Sequence, residues 1–303
     1  MTADALLLEH VDKRFGEVHA VRDLSLQVPP GSIYGFLGPN GAGKTTTIRM
    51  IMSVFLPDSG KIRVLGSEDP LAVKDRLGYL PEEKGLYKKM RLAELIAFFT
   101  ELKGVDGATA RRRARELLDR FDLGEWADRR CESLSKGMAQ KVQLLVTLSH
   151  EPELVILDEP FSGLDPVNRD TMRDVVLQLK RDGRTVIFST HIMEQAEQIC
   201  DHVLLINKGE KVIDGTVDEV RRGEGRAIWL DYDGESSRLQ ELPGVERVTD
   251  GGNRAELFLA AAADTQAVLA ELVGRGVRVS RFDLRAPSLH EVFIRALGGD
   301  ASA

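Results

Sequence analysis

Nine consecutive residues, Gly38-Pro39-Asn40-Gly41-Ala42-Gly43-Lys44-Thr45-Thr46, carry the most explicit chemistry in the chain. They fit Gly-x-x-x-x-Gly-Lys-Thr and lie between the apolar run Ile33–Leu37 and a segment, Thr46–Phe55, that reads as a helix. Glycines let such a backbone curl so that its N–H groups surround phosphate oxygens, and the helix that follows adds positive potential. Lys44 would reach the β- and γ-phosphates of a nucleotide, and Thr45 would place its hydroxyl on Mg²⁺. Further along, Asp158 ends the apolar run Leu154-Val155-Ile156-Leu157 and Glu159 follows directly. Asp158 would hold Mg²⁺ through water, because that ion keeps part of its hydration shell. Glu159 would orient or deprotonate an attacking water.

The elements around these residues read as a strand–helix alternation. Leu154–Leu157, Thr185–Ser189 and Val203–Ile206 look like strands, and Asn168–Lys180 and Met193–Cys200 like helices, which implies a mostly parallel sheet with helical crossovers. Short strands with turn punctuation precede it, at 5–36 and 60–66. Residues of about 88–150 are mainly helical, with Ala110, Ala114, Leu117, Leu118 and Phe121 recurring at helical spacing. Asp214-Gly215 offers a tight turn, and Gly223-Glu224-Gly225 a linker. Beyond it, Ala227–Leu230, Val245–Val248, Leu257–Leu259 and Val277–Phe282 read as strands, Thr265–Val273 and Leu289–Leu297 as helices. Ser288 and Glu291 make a Ser-x-x-Glu capping box at the last helix.

Ser133-Leu134-Ser135-Lys136-Gly137-Met138, lying between the glycine loop and the acidic strand end, narrows the class. It resembles the signature motif of the ATP-binding-cassette (ABC) ATPases, with Met138 where a Gln is frequent. Pro160-Phe161-Ser162-Gly163-Leu164-Asp165 resembles that family's D-loop, which runs along a subunit interface, and Ser189-Thr190-His191 its switch-histidine motif. Leu77-Gly78-Tyr79-Leu80-Pro81-Glu82 resembles its Q-loop, with Glu82 in place of the Gln that contacts Mg²⁺ and links to a transmembrane partner. Phe15 sits where the family puts an aromatic ring on adenine; a plain core phenylalanine is the other reading. The resemblance implies an α/β fold: a P-loop NTPase domain over 1–222, with a mostly parallel sheet, an antiparallel β subdomain and a helical subdomain, followed by a small α+β domain over 226–303. The string from Gly78 to Tyr87 and the ending Pro287-Ser288-Leu289-His290-Glu291-Val292-Phe293 are similar to the sodium- and drug-efflux branch of bacterial exporters.

That resemblance also implies roles. His191 would hydrogen-bond the γ-phosphate and hold the water and Glu159 in place. Ser135 and the Gly137 amide would touch the γ-phosphate held by a facing subunit, with Asp165 at the same interface. ATP and Mg²⁺ are the implied ligands. A second copy, or a homologous ATPase subunit, and transmembrane permease subunits are the implied partners, which puts the chain at the cytoplasmic face of a membrane. Two alternatives remain: a soluble ABC machine of translation or DNA repair, and a non-hydrolysing regulatory cassette. The former usually has two cassettes or a long coiled-coil insertion, and this chain has neither. The latter is disfavoured by the presence of Lys44, Asp158, Glu159 and His191 together.

Bulk properties bound these readings. At 303 residues, with 43% hydrophobic and 29% charged, the chain has an ordinary globular composition and room for about two domains. A net charge of -7 argues against whole-surface attraction to nucleic acid, which is not an expected partner. Cys131 and Cys200 have no metal-type spacing and suit a reducing compartment. Met1-Thr2-Ala3-Asp4 has no basic n-region, so no signal peptide is expected. No apolar run is long enough to cross a bilayer, so another chain would have to span one. The basic residues Lys88, Lys89, Arg91 and Arg111–Arg113 could meet headgroups or a permease, but a solvated helix face is the plainer reading.

Overall fold

The strands that carry the chemical residues are buried along their whole length, and the fold follows from that. The computed structural model describes residues 4–82, 85–223, 226–239, 241–260, 262–285 and 287–297. They fall into two compact units, one ending at Asp214 and the other starting at Gly215.

In the first unit β1 (Leu6–Phe15) and β2 (Val18–Val28) form an antiparallel hairpin. β3 (Ile33–Leu37) leads through the glycine loop into α1 (Lys44–Ile51), and β4 (Ser59–Val64) returns to the free edge of β1. The three-stranded sheet β2-β1-β4 is the antiparallel β subdomain. β5 (Leu77–Leu80) precedes a helical layer of α2 (Leu92–Glu101), α3 (Gly107–Arg120) and α4 (Lys136–Leu148). Then follow β6 (Leu154–Asp158), α5 (Pro166–Arg181), β7 (Thr185–Thr190), α6 (Met193–Ile199), β8 (His202–Asn207) and β9 (Glu210–Thr216). The six-stranded sheet has the order β5-β6-β7-β3-β8-β9, parallel from β5 to β8.

Every residue of β3, β6 and β7 is buried, as expected of parallel strands covered on both faces. Because they run the same way, their carboxyl ends open on one rim, the usual place for a ligand crevice. In the helical layer Ala110, Ala114 and Leu118 of α3 are fully buried against Leu92, Leu95 and Ile96 of α2 and Val142 and Leu145 of α4. Each such leucine or isoleucine contributes about 1.5–3 kcal/mol on leaving water. Asp106 caps α3, its carboxylate accepting from the Ala108 and Thr109 amides. Arg112 and Arg113 pair with Glu116 and Glu151 at the surface, and Arg111 lies 3.7 Å from Glu101, a solvated face.

One expected turn is elsewhere. Asp214-Gly215 lies inside β9, and the chain turns instead at Lys208-Gly209, whose φ angles of 49° and 82° match a two-residue I′ hairpin. Asp214 is held in the strand by the Tyr34 hydroxyl and by Lys211 at 3.2 Å.

The second unit contains α7 (Val217–Gly223), β10 (Arg226–Asp233), β11 (Val245–Asp250), β12 (Arg254–Leu259), α8 (Thr265–Gly274), β13 (Arg278–Arg285) and α9 (Leu289–Ala296). The strands form an antiparallel sheet in the order β11-β12-β10-β13. Ile228, Leu230, Tyr232, Leu257 and Leu259 of the sheet share one core with Val268 and Leu272 of α8. α9 begins with the Ser288–Glu291 capping box. Phe258 lies between the guanidinium groups of Arg247 and Arg295, at 3.9 and 4.4 Å from its ring centre. Glu224 and Gly225 of the expected linker, and Glu83 and Lys84 of the string after the Q-loop-like segment, lie outside the described residues.

Candidate functional site

The loop between β3 and α1 is wedged between the backbones of two other strands. Gly38 has a φ of 149° and Gly43 a φ of 110°. A Cβ at Gly38 would come within 2.2 Å of the Ile206 carbonyl, and one at Gly43 within 2.5 Å of the Ala20 carbonyl. Only glycine fits at either position. Gly43 is also the N-cap of α1, with no side-chain cap and no acid in the first turn, so the helix start keeps its positive end for an anion.

Lys44 is 5% exposed. Its Nζ bends back over the loop, donating to Gly38 O at 2.7 Å and Pro39 O at 3.2 Å, and lies 3.6 Å from Glu159 Oε1. Glu159 is likewise buried, so the two charges satisfy each other away from water. The backbone of Glu159 is left-handed, with φ 48°, which is uncommon for a residue with a side chain. His191 stands half-exposed at the end of β7, its Nδ1 3.1 Å from each carboxylate oxygen of Glu159.

Asp158 Oδ1 accepts from Thr45 Oγ1 at 3.3 Å and from Ser189 Oγ at 2.5 Å. Its other oxygen, Oδ2, is buried with no hydrogen-bond partner among the described residues. A buried carboxylate oxygen without a donor is unfavourable by about 1–3 kcal/mol or more. A cation or its water beside Oδ2 would remove that penalty, and Thr45 Oγ1, 3.3 Å from Oδ1, donates to the same carboxylate. Among the described residues no three His, Cys, Asp or Glu side chains gather as a metal site. A cation held here would therefore draw most of its ligands from phosphate and water, as Mg²⁺ does.

These groups open into a cavity of about 620 Å³. Asn40, Gly41, Ala42, Gly43, Lys44, Thr45, Thr46, Glu82 and Glu159 line it, together with Glu17, Val18, His19, Ala20 and Arg22 of the β1–β2 hairpin and Lys208 of the β8–β9 turn. Gly38 and Pro39 take part through their carbonyls on Lys44, Asp158 through Thr45, and His191 through Glu159.

Besides Gly38, Pro39, Asp158 and His191, four more expected residues are outside that lining: Phe15, Ser135, Gly137 and Asp165. Phe15 is 48% exposed and meets Phe55 edge-on at 5.3 Å, with Lys13 Nζ 5.5 Å from its ring centre. Val18, on the partner strand of the hairpin, faces the cavity instead and is 65% exposed. Ser135 caps α4, accepting from the Met138 amide at 3.3 Å. Asp165 caps α5, accepting from the Asn168 amide at 3.0 Å, and these bonds hold its carboxyl below the usual range. Asn168 also lies against Gly137, 2.9 Å from where a Cβ would stand, so Gly137 and Asp165 belong to a second cluster. Sequence reasoning does not single out Val18, His19, Arg22 or Lys208; none has a motif, and their convergence depends on how the hairpin and turn fold over the loop.

The profile of the ABC transporter family matches residues 21–162, and that of the ATP-binding protein DrrA1-3-like C-terminal domain matches residues 215–297. The chain is similar to YhaQ of Bacillus subtilis (strain 168), an uncharacterized ABC transporter ATP-binding protein, at 37% identity over 294 residues, 97% of this chain and 98% of that one. It is similar to the daunorubicin resistance ATP-binding protein DrrA3 of Streptomyces coeruleorubidus at 33% identity over 310 residues, 99% of this chain and 98% of that one. A solved structure of the ATP-binding subunit of an ABC transporter aligns with a TM-score of 0.67 at 31% identity, over 72% of this chain and 92% of that one.

Proposed function

The chain belongs to the ATP-binding subunits of ABC transporters, and from that membership we propose that it is an ATPase that powers the separate permease of an exporter. The observation that carries this reading is the meeting of Lys44, Glu159 and His191 beside Asp158, whose Oδ2 has no partner among the described residues. The export direction is supported by full-length similarity to a daunorubicin resistance protein, its C-terminal domain included.

The residues divide the work. The Lys44 ammonium and the amides at the start of α1 hold the β- and γ-phosphates of ATP. Phosphate competes with Glu159 for Lys44, so arrival of the nucleotide frees the Glu159 carboxylate to take a proton from water. His191 turns Nδ1 towards Glu159, which leaves Nε2 to meet a phosphate oxygen. Mg²⁺, when bound, would be held by Thr45 and Asp158, with Glu82 on the cavity wall, and would neutralise charge on the phosphates. Val18 and Phe15 offer the hairpin's apolar surface to the base.

Ser135, Gly137 and Asp165 stand outside the cavity of their own chain, which supports a site completed by a second copy in a two-fold dimer. A separate groove of about 350 Å³, lined by Met52, Tyr79, Leu80, Pro81, Leu86 and Phe99, suits an apolar segment of a permease. Among the described residues no helix is long and apolar enough to cross a membrane, in keeping with peripheral attachment at the cytoplasmic face through that permease. Measuring Mg²⁺-dependent ATP hydrolysis by the purified chain tests the reading. Failure to bind or hydrolyse ATP, alone and with its permease, would overturn it.

A further inference from the structure

Asp158 of β6 lies directly opposite Ser189 of β7 in the parallel pairing. Ser189 is fully buried in a strand whose every residue is buried, where a hydroxyl needs partners. It has two: its Oγ is 2.5 Å from Asp158 Oδ1, and it accepts the backbone N–H of Glu159 at 2.9 Å. An ionised carboxylate only accepts, so the hydroxyl proton points at Asp158 and the oxygen's lone pair at Glu159. The direction of the chain is thereby fixed: Glu159 N–H to Ser189 Oγ, then Ser189 O–H to Asp158 Oδ1.

Two consequences meet at the site. With Oδ1 held by Ser189 and Thr45, the carboxylate of Asp158 keeps its bare Oδ2 in one orientation. Glu159 is held at its left-handed φ of 48°, a conformation that persists only where surroundings over-determine it. That conformation goes with the approach of its carboxylate to Lys44 and His191. We propose that Ser189 is a positioning residue of the ATPase reaction, one hydroxyl that locks the metal-side and water-side carboxylates into a single fixed relation. This rests on the ATPase reading above.

The test compares Ser189→Ala, Ser189→Val and Ser189→Thr in the full-length chain; Val and Thr have the same shape and differ in the hydroxyl. Ser189→Ala and Ser189→Val should lower kcat by about 10–100-fold, the scale of a small misplacement of reacting groups. KM for ATP should stay close to wild type. Binding of a fluorescent ATP analogue without metal should also match wild type, while the affinity gained on adding Mg²⁺ shrinks. Ser189→Thr should restore both turnover and the Mg²⁺ gain. Wild-type turnover in Ser189→Ala overturns the proposal. So does loss of metal-free ATP binding in step with turnover, which would mark a packing defect; Ser189→Ala gives this answer even if the extra methyl of Thr and Val does not fit. A wild-type chain that binds no ATP overturns the ATPase reading and this inference together, whereas wild-type hydrolysis with an unaffected Ser189→Ala overturns this inference alone.

Discussion

His191 Nδ1 is equidistant, at 3.1 Å, from the two carboxylate oxygens of Glu159. The ring therefore constrains the carboxylate as a whole and not one of its oxygens. Glu159→Gln keeps the shape but cannot take a proton, and should lower turnover by about 10²–10⁴-fold, the usual worth of a general base. ATP should still bind, and the variant should accumulate as an ATP-bound dimer on size-exclusion chromatography. Wild-type hydrolysis by this variant would remove Glu159 from the role of base.

The exposed cap of α4 leads to a second expectation. Lys44→Ala should weaken ATP binding by about 10–100-fold, the scale of lost charge-assisted hydrogen bonds. Ser135→Arg should bind ATP normally yet fail to dimerise. Mixing the two makes heterodimers in which one site has both defects and the other none. Partial recovery of hydrolysis is expected if one site can turn over alone, and recovery of ATP-dependent dimers without hydrolysis if both must fire. With subunit exchange demonstrated, absence of either rescue would exclude a head-to-tail composite site.

Much of this was legible in the residues because it is local. The glycine loop, the acid pair ending β6 and the Ala110-Ala114-Leu118 stripe of α3 are patterns of neighbours along the chain. Contacts set by packing were not. Asp-Gly is a strong hairpin signal, yet Lys208-Gly209 takes the turn while Asp214 is held by Tyr34, far away in sequence. Phe15 meets Phe55 with the two rings perpendicular, a contact that no spacing reveals. Ser189 gains its bonds from the register of two parallel strands, and order along the chain does not specify register.

No residue singled out for the chemistry lies beyond His191, and the second unit begins at Gly215. A chain ending at Asp214 should fold and bind ATP with near-wild-type affinity by isothermal titration. A soluble, folded truncation without nucleotide binding would place part of the site in residues 215–303.

The second unit should also respond to pH. Burial, reinforced by the neighbouring Glu291 carboxyl, pushes the Glu256 carboxyl up to about 7 from 4.5. Arg247 and Arg295 oppose that rise. The folded protein then keeps a proton that the unfolded chain releases, so this contribution is complete below pH 4.5 and is lost as pH rises through about 7. Protection of α9 in hydrogen exchange should fall across that window in the wild type. In Glu256→Gln, which stays neutral, the fall should vanish; an identical pH profile in both would discount Glu256 as its source.

The close approach at Gly43 has a genetic counterpart. Its obstacle is the Ala20 carbonyl, a main-chain atom that no substitution can trim away. At Gly35 the obstacle is different: a Cβ there would lie 2.7 Å from the sulfur of Cys200, a side-chain atom. Selection for suppressors should thus divide the two alleles. Gly35→Ala should be rescued by Cys200→Ala, which removes the offending sulfur, whereas Gly43→Ala should yield only true revertants.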